Sequence, residues 1–146
     1  MKRSTIVIAL FLVLAILFIP TQSRAANTIK IGLITPLSAP GDYKSGQINV
    51  KTAKLAIAEI NSKGGILGKK VSLVIADDEG KPAVGVVALK RMIATNKVSA
   101  IIGLWHSSVA LAQAKVATQM KVPVMIHYSW TDKLTEAHSD LSLIHI

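Results

Sequence analysis

Two hydrophobic periods alternate along the chain. Ile29-Lys30-Ile31-Gly32-Leu33-Ile34-Thr35, Val71-Ser72-Leu73-Val74-Ile75-Ala76, Val98-Ser99-Ala100-Ile101-Ile102-Gly103 and Val122-Pro123-Val124-Met125-Ile126 are short, mostly apolar runs. Runs of this kind predict strands of a parallel sheet covered on both faces. Between them apolar residues recur at three and four positions: Val50, Ala53, Ile57 and Ile60; Val86, Leu89 and Ile93; Val109, Ala112, Val116 and Met120. Lys51, Lys54, Lys90, Arg91, Gln113 and Lys115 lie off those faces, so each stretch reads as an amphipathic helix. The predicted order is β-α-β-α-β-α-β, an α/β fold with an open parallel sheet and right-handed crossovers. Strand order 2-1-3-4 follows if the switch point lies between the first and third strands. Gly64, Gly65 and Gly68 are expected to end the first helix and turn the chain into the second strand.

The N-terminus follows a different plan. Met1-Lys2-Arg3 is basic, residues 6–19 are wholly apolar, and Ser23 and Ala25 fit the −3 and −1 positions of a cleavage site. A membrane span needs roughly 20 apolar residues, so residues 1–25 read as a secretory signal peptide rather than an anchor. The chain has no Cys, which excludes a disulfide framework, a cysteine zinc site, a thiol nucleophile and a lipid-modified N-terminal Cys. The formal net charge is +9, but Lys and Arg are scattered and never form a run longer than two. That is a solvated surface and not the clustered stripe that nucleic acid requires.

In open parallel α/β sheets a ligand sits beyond the carboxyl ends of the strands. Those ends are residues 36–46, 77–82, 104–108 and 127–133. Tyr43, Trp105, Tyr128 and Trp130, the four aromatic residues beyond the leader, all fall there. They read as a pocket wall, against the plainer reading that they cover the sheet's rim. Ser107 or Ser108 is expected to cap the third helix, whose first-turn N–H groups suit an anion such as a carboxylate; an ordinary capping serine is the alternative.

Catalytic chemistry is poorly supported. Ser107 lies in Trp-His-Ser-Ser-Val, not in a G-x-S-x-G elbow, and His106 is only its sequence neighbour. His127, His138 and His145 lack metal-ligand spacing, so no metal is expected. Asp77-Asp78-Glu79 reads as a turn into a helix with Pro82 in its first turn. There is no glycine-rich phosphate loop, and no cofactor is expected.

Ile29 through Ser38, then Glu59-Ile60-Asn61 with Gly64-Gly65-Ile66-Leu67-Gly68-Lys69-Lys70-Val71, then Asp77-Asp78-Glu79-Gly80-Lys81-Pro82 form an ordered set. Ile102-Gly103 with Ser107 to Ala112, Val122-Pro123 and Leu134-Thr135-Glu136 complete it. Together these segments resemble type I periplasmic solute-binding proteins of branched-chain amino acid and amide ABC importers. The resemblance implies a Rossmann-like lobe of a two-lobed receptor that closes on its ligand, without catalysis. It implies that Ser107 and nearby backbone N–H groups hold a ligand carboxylate; Trp105, His106 and Ser108 beside them are read as further ligand-binding residues. It implies contacts from Tyr128, Ser129, Trp130 and Thr131, and a cleft border at Asp42 and Tyr43. The family often carries Ser-Ala-Thr where this chain has Tyr128-Ser129-Trp130, which points to a flatter, aromatic or amide-like ligand.

The domain reading is a signal peptide over 1–25, the early part of the first lobe over 26–136, and a doubtful tail over 137–146. The tail does not resemble the family's continuation, and the sequence is read as coming from a truncated gene model. The expected function is an extracytoplasmic receptor that delivers an amino acid, amide or related carboxylate to an ABC importer permease in the inner membrane. The expected location is the periplasm, without a lipid anchor. The alternatives are the ligand-binding lobe of a sensor, and an exported serine hydrolase that uses Ser107 with His106.

Overall fold

The structure is a computed structural model that describes residues 28–136 and 142–144. The expected signal peptide lies outside the described residues. Among those described, β1 (Ile29–Thr35), β2 (Val71–Asp77), β3 (Ala100–Gly103), β4 (Val124–Ile126) and β5 (Ser142–Ile144) form one parallel sheet in the order β2-β1-β3-β4-β5. The helices are α1 (Tyr43–Ser62), α2 (Pro82–Arg91), α3 (Ser107–Gln119) and the short α4 (Lys133–Glu136). The expected order of the first four strands is therefore observed. A fifth strand comes from the stretch read as a tail.

β1 is paired with β2 on one side and with β3 on the other. Successive connections leave β1 in opposite directions, which puts a switch point at the carboxyl ends of β1 and β3. The same reversal puts α1 on one face of the sheet and α2 and α3 on the other. Ile34, Ile101, Val124 and Ile126 pack into one core with Leu89, Met92, Ala110 and Ala117. Each such aliphatic side chain, fully buried, contributes about 1.5–3 kcal/mol. On the opposite face Leu33 and Ala53 meet Ile102 and Met125 around a groove of about 280 Å³, and Met125 remains half exposed.

β3 and β4 start two residues later than the apolar runs predict. Val98 and Val122 are buried but precede the strands. The reason lies just upstream, where Lys97 and Lys121 have φ of 58° and 56° and turn the chain sharply. Pro123 also has no N–H for a ladder, although its carbonyl accepts from the Ile101 N–H at 3.0 Å. α2 runs on into a wider turn over Met92–Asn96, closed by the Lys97 N–H donating to the Met92 carbonyl. The expected glycine turn after α1 is present, with Gly64, Gly65 and Gly68 all at positive φ. The Asn61 amide fastens the next strand to it, donating to the Val71 carbonyl and accepting from the Val71 N–H, both at 2.8 Å.

Candidate functional site

The site begins where β3 ends. Gly103 and Leu104 have φ of 109° and 64°, so the chain bends twice in succession. A Cβ on Gly103 would lie 2.3 Å from the Ile34 carbonyl oxygen, so only glycine fits there. Leu104 in the left-handed region costs about 1 kcal/mol, offset by its complete burial, which is worth about 2 kcal/mol. The Leu104 N–H donates to the Ile34 carbonyl at 3.0 Å and ties the bend to β1.

This bend delivers Trp105, His106 and Ser107 to the switch point. The N-cap position of α3 is His106, with no side-chain cap, and Ser107 is the first helical residue. The expectation that Ser107 or Ser108 caps the helix is thus corrected. The extra residues of turn at Gly103-Leu104 let the helix start one residue earlier than the serine pattern suggests. Ser107 Oγ instead accepts a hydrogen bond from the Trp130 N–H at 3.0 Å. Accepting there leaves the hydroxyl proton free to donate elsewhere. Ser108 is exposed in the same turn, where the first N–H groups of a helix have no intrahelical acceptor and the dipole favours an anion.

The loop leaving β4 is laced to this bend. His127 Nδ1 lies 3.0 Å from the Gly103 carbonyl, the Ser129 hydroxyl donates to the Leu104 carbonyl at 2.8 Å, and the Trp130 N–H reaches Ser107. The rings follow the backbone. Trp105 and Tyr128 stack with centroids 3.8 Å apart and planes 4° apart. Tyr128 meets Trp130 at 5.9 Å and 58°, and Trp105 meets His127 at 5.9 Å and 54°. The Thr131 carbonyl accepts from the Leu134 N–H and starts α4. On the far side of His127, Nε2 lies 3.3 Å from Asn49 Oδ1, and Asn49 Nδ2 donates to Thr35 Oγ1 at 2.9 Å.

Asp42 and Tyr43 border a different part of the rim. Asp42 is the N-cap of α1, its carboxylate accepting from the Ser45 N–H and from the Ser45 hydroxyl. Those two bonds hold its carboxyl below the ordinary value. Tyr43 is half exposed and makes no ring contact with Trp105, Tyr128 or Trp130.

The acidic turn after β2 leads into α2, as expected, with Pro82 opening the helix. Asp77 accepts from the N–H groups of Leu37 and Glu79 and from the Ser38 hydroxyl, joining two of the rim loops. Partial burial pushes its carboxyl up, but the hydrogen bonds from Leu37, Ser38 and Glu79 together outweigh that and hold it low. Asp78 is 0 % exposed, and burial pushes its carboxyl up against the pull of the Gly80 N–H and His106. Asp78 Oδ2 and His106 Nδ1 are both buried without a hydrogen-bond partner.

A carboxylate held low contributes stability above its unfolded pKa of about 3.9, and that contribution disappears as pH falls through the lowered folded value. Asp77→Asn is therefore expected to be less stable than the parent at neutral pH. The deficit should close as both proteins are taken down through the parent carboxyl's lowered value, below which it is protonated too. Urea midpoints measured across that range check it; a deficit independent of pH would mean that the Asp77 charge does not matter.

Of the residues expected at a ligand site, the structure brings Trp105, Ser107, Tyr128, Ser129 and Trp130 into one hydrogen-bonded, stacked cluster. His106 and Ser108 lie beside it on the α3 turn, and Thr131 follows it in sequence. Asp42 and Tyr43 do not join the ring cluster. Sequence reasoning passed over Asn49, and it placed His127 at the rim without giving it a role. The available signal for Asn49 is a polar residue beside Val50 and Ala53 on the sheet-facing side of α1.

In parallel α/β lobes ligands bind at the switch point, which is where the Ser107 hydroxyl, the α3 N-terminus and the stacked rings lie here. The model of one family, described as periplasmic binding protein, matches residues 28–140. The chain belongs to the periplasmic binding protein family. It is 36% identical over 108 residues to the Leu/Ile/Val-binding protein BraC3 of Rhizobium johnstonii, covering 74% of this chain and 29% of that one. Its fold matches the substrate-binding protein LivJ of Streptococcus pneumoniae in complex with isoleucine, with a TM-score of 0.75, 32% identity, and 80% of this chain on 33% of that one. It also matches an ABC-transporter solute-binding protein of Rhodopseudomonas palustris in complex with 3,4-dihydroxybenzoic acid, with a TM-score of 0.72, 31% identity, and 80% of this chain on 31% of that one. The chain thus spans about a third of the length of these relatives.

Proposed function

We propose that the protein is a solute receptor that holds a small carboxylate-bearing ligand, an amino acid or a related acid or amide, and presents it to the permease of an ABC importer in the inner membrane. The observation that carries this reading is Ser107: its hydroxyl, fixed by the Trp130 N–H, stands at the first turn of α3 at the switch point. A hydroxyl that accepts from one side donates to an anion on the other, and the helix N-terminus adds favourable potential. The two ligands named with the matched structures, isoleucine and 3,4-dihydroxybenzoic acid, share a carboxylate and little else. Trp105, Tyr128, Trp130 and the Ser129 and Thr131 loop form the wall; Asp42 and Tyr43 border the cleft.

The reading includes no catalysis and no metal or cofactor. Ser107 Oγ is engaged by a backbone N–H rather than by the His106 ring, which runs against the hydrolase alternative. The basic start, the apolar run and the small residues at Ser23 and Ala25 support export, and the absence of Cys supports a receptor free in the periplasm. Calorimetric titration of the whole gene's product with a panel of small carboxylates and amides tests the proposal. At least one is expected to bind at micromolar Kd or tighter, about −8 kcal/mol. Turnover of simple esters that vanishes in Ser107→Ala would replace the receptor with the hydrolase.

A further inference from the structure

We infer that this site selects a flat aromatic carboxylate over an aliphatic amino acid. The inference deepens the receptor reading and rests on it. Trp105 closes one face of Tyr128 by stacking on it, so that face is spent within the protein. Tyr128 and Trp130 meet as a tilted pair, planes 58° apart and centroids 5.9 Å apart, and so form a corner. Trp130 is 82% exposed and Tyr128 46% among the described residues. The Trp130 backbone N–H is bonded to Ser107 Oγ, so the hydroxyl is tied to the residue that carries the indole. In this proposal a carboxylate held by Ser107 places the group attached to it against this corner. A benzene ring bonded to the carboxyl carbon can lie on one indole or phenol face and present its edge to the other, the geometry that aromatic pairs prefer.

The backing of Tyr128 by Trp105 also pre-orients the wall, so little side-chain freedom is lost when a rigid ligand arrives.

The test is calorimetric titration of the whole gene's product with benzoate and phenylacetate against cyclohexanecarboxylate and leucine. An aromatic acid is expected to bind at least about tenfold tighter than either aliphatic probe. Trp130→Leu, at an exposed position where folding is not at stake, is expected to lose about tenfold for the aromatic acid and to leave cyclohexanecarboxylate within about twofold. Tyr128→Leu should do the same if Trp105 keeps its place. Leucine or cyclohexanecarboxylate binding as tightly as the aromatic acids overturns the inference and leaves the receptor standing. An equal loss for all probes in Trp130→Leu also overturns it, because the ring would then only position Ser107. If no carboxylate or amide of either panel binds, the receptor reading falls and this inference with it.

Discussion

Gly46→Ala is expected to lower the stability of the protein by about 3 kcal/mol and its Tm by roughly 10 °C or more. The sign is the informative part. Gly46 lies inside α1, where alanine is ordinarily better than glycine by about 1 kcal/mol. Here a Cβ would lie 1.6 Å from the Pro36 carbonyl oxygen and 2.7 Å from its carbon. The obstacle is backbone, so no rotamer change relieves it; either α1 lifts off the sheet or the loop after β1 moves. Both alternatives disturb Leu33 and Ala53 beneath the helix and the Leu37 N–H that Asp77 holds. Gly64→Ala is the comparison. Gly64 has φ of 97° but nothing within 4 Å of its missing Cβ, so only the backbone preference is lost, about 1–2 kcal/mol. Urea unfolding of both variants separates crowding from conformational strain. A Gly46→Ala protein as stable as the parent would mean that α1 does not rest on the Pro36 carbonyl.

The longest strands were the most legible. β1 and β2 each carry seven residues of pattern and were bounded correctly to within one residue. β3 and β4 were overextended because a positive φ at Lys97 or Lys121 leaves no mark in a lysine, whereas in the Gly64-to-Gly68 turn glycine announces it. β5 was missed because residues 137–146 do not resemble the family's continuation and read as a doubtful tail, and Ser-Leu-Ile alone carries too short a period to correct that. The site was legible by topology, since the carboxyl ends of strands are identifiable once strands are, but its internal geometry was not. That geometry comes from register. β3 and β4 align Gly103 with Ile126, and the two chains keep that offset as they leave the sheet. Trp105 therefore falls beside Tyr128 and Ser107 beside Trp130, as the ring stack and the hydrogen bond record. Register is set by packing between strands, not by either strand's own residues, so the sequence named the participants without pairing them.

Ser107→Ala is expected to weaken binding of whichever carboxylate the parent protein holds by about tenfold to a hundredfold, while the fold survives. A hydrogen bond to a charged group is worth about 1.5–3 kcal/mol, and each 1.4 kcal/mol is a factor of ten in Kd. The hydroxyl does two things at once. It donates to the ligand, and it accepts from the Trp130 N–H at 3.0 Å, which fixes the loop that carries the aromatic wall. Removing it loses the first outright. The second is replaced by water, because the Trp130 backbone is exposed there, so stability changes little. Ser107→Thr keeps the hydroxyl and should recover most of the affinity. Ser108→Ala removes a side chain that is exposed one residue further along α3 and should change affinity by no more than about threefold. The three variants together distinguish a donor from mere proximity to the helix end. If the helix N–H groups alone held the carboxylate, Ser107→Ala and Ser108→Ala would bind alike. If Ser107 served only to hold Trp130, the loss would appear for aromatic ligands and not for aliphatic ones. Loss for every carboxylate, restored by threonine and absent at Ser108, is the outcome that assigns the ligand's charge to the Ser107 hydroxyl.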